Sequence, residues 1–176
     1  MERLRIIIAD DESIIRMDLK EMLEEAGHSV VAEAVNGRQA VEFARKLFPD
    51  LLILDVKMPV MDGLQAAELI AAEHLAPVIL LTAFSQKEFV DQAGHLGVLA
   101  YLVKPLREEQ LLPAIEIAMA RFGDVRDLEA QILKLQDTLE MRKAVERAKG
   151  ILVKMYGYGE EVAYRKMQQY AMDKRV

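Results

Sequence analysis

The chain has no cysteine, no long apolar run and only three histidines, and each shortage removes a class of function. Without cysteine, disulfides and thiolate metal sites are excluded, and the composition fits a reducing compartment. No apolar stretch approaches the ~20 residues of a membrane span. The basic, charged start lacks the apolar region of a signal peptide. A cytoplasmic protein that makes no membrane contact is therefore expected. His28, His74 and His95 are isolated from one another, so surface or cap roles are expected for them rather than metal ligation. What remains is ample for a fold: 176 residues, 52% hydrophobic and 30% charged, suit one soluble domain plus a smaller appendage.

The net charge of −6 argues against a nucleic-acid partner until it is divided along the chain. Residues 1–122 carry 12 basic and 20 acidic side chains, residues 123–176 carry 11 and 9, and from Met141 onward the ratio is 9 to 4. An acidic body with a basic tail points to a polyanionic partner for the tail.

Residues 1–122 read as five strand–helix units. The first strand closes at Ala9, and a helix through Ile14, Met17, Leu19, Met22 and Leu23 follows, ending near Gly27. Val30–Ala34 reads as the second strand. Asn36-Gly37 turns into a helix carrying Val41, Ala44, Leu47 and Phe48, which Pro49 ends. Asp62-Gly63 opens a third helix after the third strand. Pro77 precedes the fourth strand, Ser85 is the expected N-cap of a fourth helix and Gly97 its stop. Pro113 falls early in a fifth helix, where it should cost one backbone hydrogen bond. The strands are short and almost continuously apolar, as expected of a parallel sheet covered on both faces.

Polar residues close the apolar runs. Asp10 and Asp11 follow Arg5–Ala9, Asp55 follows Leu51–Leu54, Thr82 follows Val78–Leu81, and Lys104 follows Tyr101–Val103. The carboxyl ends of parallel strands share one edge, so these five residues are expected to meet. Carboxylates a few ångströms apart repel by about 4 kcal/mol per pair at an effective dielectric near 20. Such a group needs a cation, and an all-oxygen set suits Mg²⁺. The backbone carbonyl of Lys57 is placed by the strand-end turn to join Asp10, Asp11 and Asp55 around it. This is the equipment of phosphoryl transfer, with Asp55 as the nucleophile. Lys104 supplies positive charge to the phosphoryl oxygens, Thr82 a hydrogen bond, and Ala83 room to enter. Each piece alone has an ordinary reading: the acidic pair as a helix cap, Asp55–Gly63 as a turn. Their order, each at a strand end, favours the joint reading.

Residues 1–122, with Asp10-Asp11, the segment around Asp55, Thr82-Ala83, Tyr101 and Lys104-Pro105, resemble a response-regulator receiver domain. The resemblance implies a flavodoxin-like, doubly wound α/β fold, strand order 2-1-3-4-5, and phosphorylation of Asp55 by a histidine kinase. It implies that Thr82 and Tyr101 are switch residues and that the Lys104–Pro105 peptide bond is cis. Read without the resemblance, Tyr101 is a half-buried strand aromatic.

After Arg121 the pattern changes. Val125, Leu128, Ile132, Leu135 and Leu139 are spaced 3, 4, 3, 4, a coiled-coil seam, so residues 123–140 read as a helical linker; the alternative is a helix packed back on the first domain. A second stripe, Met141, Val145, Ala148, Leu152 and Met155, takes over until Tyr156–Gly159 breaks the helix. Glu160-Glu161 opens another helix with Ala163, Met167, Tyr170 and Ala171 on its apolar face. Lys143, Arg147, Gly150 and Lys154 share the face opposite the stripe. A glycine in a helix interior costs roughly 1 kcal/mol, and among cations it lets a phosphate backbone come close. The alternative is a solvated charged face.

The segment Glu140-Met-Arg-Lys-Ala-Val-Glu-Arg-Ala-Lys-Gly-Ile-Leu, with Glu161-Val-Ala-Tyr and Tyr170-Ala-Met, resembles the ANTAR domain, an RNA-binding antiterminator module. The resemblance implies RNA contacts from Arg142, Lys143, Arg147, Lys149, Gly150 and Lys154, and a target made of paired stem-loops. It also implies a third helix, which is missing before Val176, so residues 141–176 are expected to form an incomplete all-α output domain. The expected protein is a phosphorylation-dependent antiterminator that dimerises when phosphorylated. It is no enzyme beyond its own phosphorylation and dephosphorylation. The rivals are a DNA-binding transcription factor, which the Tyr156–Gly159 break fits poorly, and a receiver that regulates a protein partner.

Overall fold

The computed structural model describes residues 3–83 and 98–174. They form two compact units, Met1–Val125 and Arg126–Val176. The expected fourth helix, with Ser85, His95 and Gly97, lies outside the described residues.

In the first unit five parallel strands stand in the order β2-β1-β3-β4-β5, the order the resemblance implies. They are β1 (Arg5–Ala9), β2 (Ser29–Ala34), β3 (Leu51–Asp55), β4 (Val78–Ala83) and β5 (Val98–Lys104). Helices α1 (Ser13–Glu25), α2 (Gly37–Leu47) and α3 (Gly63–Ala72) cover them together with the start of a long helix, Glu108–Tyr156. Continuous apolar strands give two cores because successive side chains point to opposite faces. Ile7, Leu52, Leu54 and Leu80 pack with α2 and α3 residues such as Val41 and Ile70. Ile6, Ile8, Ile53 and Ile79 pack with Leu19 and Leu23 of α1 and Leu111 and Ile115 of the long helix. All these strand side chains are fully buried, worth about 1.5–3 kcal/mol each.

Helix ends follow the local chemistry. Asn36 caps α2 by accepting from the Gln39 N–H, and Asp62 forms a capping box with Gln65 on α3. Gly27 ends α1 at φ +87°. Two readings need correction. Phe48 is not within α2: it is the left-handed cap after Leu47, 69% exposed, because Pro49 disfavours a helical conformation in the residue before it. His28 is buried, not on the surface. Its Nδ1 accepts from the Leu4 N–H at 3.3 Å, and burial pushes its pKa down.

The long helix runs unbroken from Glu108 to Tyr156, through Pro113 and with no interruption at 122/123 or 140/141. In the second unit it is followed by the helix Glu160–Lys174. The fully buried Ala163 anchors that helix, and Ala148, Leu152, Met167 and Tyr170 line a groove between the two. Gly157, at φ +66°, takes the left-handed conformation at the break. Among the described residues no helix is long and apolar enough to cross a membrane.

Candidate functional site

Strand register assembles the site. Ala9 pairs with Leu54, so the next residues, Asp10 and Asp55, emerge side by side; Asp55 lies opposite Leu81, and Thr82 and Ala83 lie opposite Val103 and Lys104. Carboxylate oxygens of Asp10, Asp11 and Asp55 all fall within 4.8 Å of one another. Asp10 and Asp55 are buried and Asp11 is exposed. Lys104 Nζ donates to Asp10 Oδ2 at 2.7 Å and stands 2.7 Å from Asp55 Oδ1. The Lys104–Pro105 bond is cis, as the resemblance implies. The acidic pair is not a helix cap, since the N-cap of α1 is Glu12. Asp10 Oδ1 instead accepts from the Glu12 N–H at 3.0 Å.

Burial pushes the Asp55 carboxyl above its ordinary range, against the opposing hydrogen bond and charge of Lys104. Burial also works against the Lys104 ammonium, but its bonds to Asp10 and Asp55 outweigh that and raise its pKa. The mixed set, three hard oxygen donors and one lysine sharing two of them, fits a divalent cation on the Asp11 side. The Lys57 backbone N–H works in the same direction as Lys104, favouring the charged Asp55 carboxylate. The Thr82 hydroxyl is buried and donates to the Ala83 carbonyl at 3.2 Å, while Ala83 is exposed at the mouth. The ring of Tyr101 packs on the α2–α3 side of the core. Its hydroxyl is shielded, without a hydrogen-bond partner among the described residues, and burial pushes its pKa up.

Two supporting residues escaped the sequence reading. Arg16 of α1 donates to the Asp10 backbone carbonyl at 2.7 Å and stands 3.7 Å from Glu33, tying the acidic strand end to β2. Gly63 is more demanding. A Cβ there would lie 2.1 Å from the Asp55 carbonyl oxygen, so the first turn of α3 rests directly on the backbone of the central aspartate. Gly63→Ala must displace one or the other, and a loss of about 3 kcal/mol is expected, the upper end for overpacking. Urea midpoints measure this; an unchanged midpoint would mean that α3 shifts freely.

The six basic-tail candidates divide. Arg142, Lys143, Arg147, Gly150 and Lys154 are exposed. Lys143 pairs with Glu140 at 2.9 Å, and Arg147 and Lys154 have no acidic partner among the described residues. Lys149 is held 2.8 Å from Glu146 and 3.4 Å from Glu160, a bridge across the helix break. A Cβ on Gly150 would meet nothing within 4 Å, so no internal packing requires a glycine there.

Comparison with known proteins adds to this geometry. Residues 6–116 match the response regulator receiver domain, and residues 133–176 the ANTAR domain. The chain is 50% identical over 171 residues to the transcriptional regulatory protein PdtaR of Mycobacterium tuberculosis, covering 97% of this chain and 83% of that protein. It is 40% identical to the chemotaxis protein CheY of Bacillus subtilis over 112 residues, 63% of this chain and 93% of the other. Among solved structures, the receiver domain of the response regulator NarL from M. tuberculosis is similar with a TM-score of 0.62 and 31% identity, over 65% of this chain and 94% of that one.

Proposed function

This chain belongs to the response regulators that join a receiver domain to an ANTAR domain, and from that premise we propose that it is a phosphorylation-dependent transcription antiterminator acting on structured RNA. The mycobacterial relative is a transcriptional regulatory protein, and that role carries over to this chain. The observation that carries the reading is a single one: the carboxylates of Asp10, Asp11 and Asp55 converge with Lys104 on the same chain as a basic, exposed helix face.

Asp55 is the phosphoacceptor. Its carboxylate oxygen attacks the phosphorus of a phosphohistidine on a partner kinase; the O–P bond forms, the P–N bond breaks, and the imidazole leaves with the bonding electrons. Lys104 balances the phosphoryl oxygens, Thr82 donates a hydrogen bond to one of them, and Ala83 leaves them room. Asp10, Asp11, Asp55 and the Lys57 carbonyl would hold Mg²⁺, which when bound neutralises developing charge on the phosphoryl group. Chemistry in this chain ends with its own phosphorylation and dephosphorylation, and the protein works in the cytoplasm. Thr82 and Tyr101 relay the state of Asp55, and the phosphorylated form is a homodimer. We assign the receiver to residues 1–122, the linker to 123–140 and the RNA-binding part to 141–176.

Arg142, Lys143, Arg147 and Lys154 face the phosphates of the stem-loops, and Gly150 lets a phosphate approach the helix. Lys149 contributes by holding the helix break. Titrating RNA hairpins into the phosphorylated protein over a range of salt tests this. Affinity should fall log-linearly with salt, and Arg147→Gln should flatten the slope by about one unit. Gly150→Ala separates function from folding. It should stabilise the helix by about 1 kcal/mol, because the added methyl has open space, and yet weaken RNA binding several-fold. Affinity equal to wild type in both variants would move the RNA site elsewhere; preference for duplex DNA over hairpin RNA would replace the reading altogether.

A further inference from the structure

Aromatic residues are divided between the two units by type. All five phenylalanines fall within residues 1–122, whereas four of the five tyrosines, Tyr156, Tyr158, Tyr164 and Tyr170, fall in the last 21 residues. Tyrosine is the aromatic for a wet surface, with an apolar ring and a polar tip. Tyr156 and Tyr170 are both more than 60% exposed.

Two of these rings are already organised. Tyr156 and Tyr158 stack with centroids 5.6 Å apart and planes 14° from parallel. Residues two apart point away from each other on a helix. Here the left-handed Gly157 between them turns the chain so that the rings become parallel. Lys166 Nζ lies over the Tyr158 ring, 5.6 Å from its centroid, adding a cation to the stack. The surrounding segment from Met141 carries 9 basic and 4 acidic residues.

Resting on the RNA reading above, we propose that the Tyr156–Tyr158 stack, with Lys166 over Tyr158 and the Tyr156 ring exposed, is a platform for an unpaired base of the RNA, a phosphate of the same strand pairing with Lys166. A flat aromatic surface beside a cation recognises a single-stranded nucleotide, because an unstacked base offers a π-face and a phosphate together. A paired duplex offers no such face, so the platform gives the protein a preference for loops that phosphate contacts alone do not.

The chain contains no tryptophan, so Tyr158→Trp introduces a single indole reporter. The full chain, phosphorylated with acetyl phosphate and Mg²⁺, is titrated with RNA hairpins bearing a randomised single-stranded loop and with a fully paired RNA duplex. Indole emission should be quenched by the hairpins and not by the duplex. Tyr158→Ala should lower hairpin affinity by about ten-fold or more with the salt slope unchanged, since no charge is lost. Circular dichroism checks that the helices persist, and Tyr156→Ala, which removes the other half of the stack, should weaken hairpin binding in the same way. The proposal is overturned if Tyr158→Ala binds hairpins as tightly as wild type, if emission is indifferent to the loop, or if the variant alters only self-association, which would make a second copy the occupant. If wild type itself binds no hairpin, the RNA reading falls and the platform with it; failure of Tyr158→Ala alone leaves that reading standing.

Discussion

Replacing Asp55 with asparagine should abolish phosphorylation completely. After treatment with acetyl phosphate and Mg²⁺, the intact mass of the wild-type chain should rise by one phosphoryl group and that of Asp55→Asn should not. The amide matches the carboxylate in shape but is a poor nucleophile, so the pocket stays formed and only the chemistry stops. A second, independent signature follows from electrostatics. Burial raises the pKa of Asp55 above its ordinary value, so the folded chain holds that proton more tightly than the unfolded chain. Stability from this group is therefore complete below the ordinary carboxylate pKa and is lost as pH rises through the higher, folded value. At neutral pH with chelator present, Asp55→Asn should be more stable than wild type, and the gap should close on acidification. Urea titrations at several pH values measure it. A mass gain in Asp55→Asn equal to that of wild type would place the phosphoacceptor elsewhere.

The acidic edge was legible because each of its residues ends an apolar strand, and parallel strands have only one carboxyl edge. Asp10, Asp55, Thr82 and Lys104 needed no contact information to be grouped. Gly63 could not be recognised in the same way: after the capping Asp62 it reads as an ordinary helix start, and its closeness to Asp55 exists only once α3 docks. Arg16 likewise looks like one more charge on an amphipathic helix until its guanidinium meets the Asp10 carbonyl. His28 misled for the opposite reason: a histidine isolated from the other two suggests a surface or cap role, whereas the fold buries it against Leu4. The long helix hid its length. Its apolar stripe rotates from the Val125–Leu139 seam to Met141–Met155, which looks like a change of element, yet one helix can present different faces along its course.

The same helix bears on how the state of Asp55 would reach the RNA. A phosphoryl group adds about −1.5 to −2 charge, but its field is screened beyond roughly 8 Å at physiological salt. We propose that a two-state element carries the signal, and the long helix contributes to both units: Leu111 and Ile115 lie in the receiver core, and the seam follows on the same helix. Val125, Leu128, Ile132, Leu135 and Leu139 are 45–64% exposed in the single chain. Continuing the same spacing past Leu139 reaches Arg142, Glu146 and Lys149, so the seam stops where the basic segment begins. A two-stranded coil this short is marginal, which makes it suitable for a switch that phosphorylation tips toward the dimer. The variant Leu128→Lys/Leu135→Lys alters only exposed positions, so stability should change by no more than about 0.5 kcal/mol per site. It should sediment as a monomer whether phosphorylated or not, bind a single hairpin as wild type does, and lose about a hundred-fold in affinity for paired stem-loops, the share that bivalency supplies. Wild-type protein should dimerise on phosphorylation. If its assembly ignores phosphorylation, or if the double variant grips paired stem-loops as tightly as wild type, the seam is not the device that joins Asp55 to the RNA.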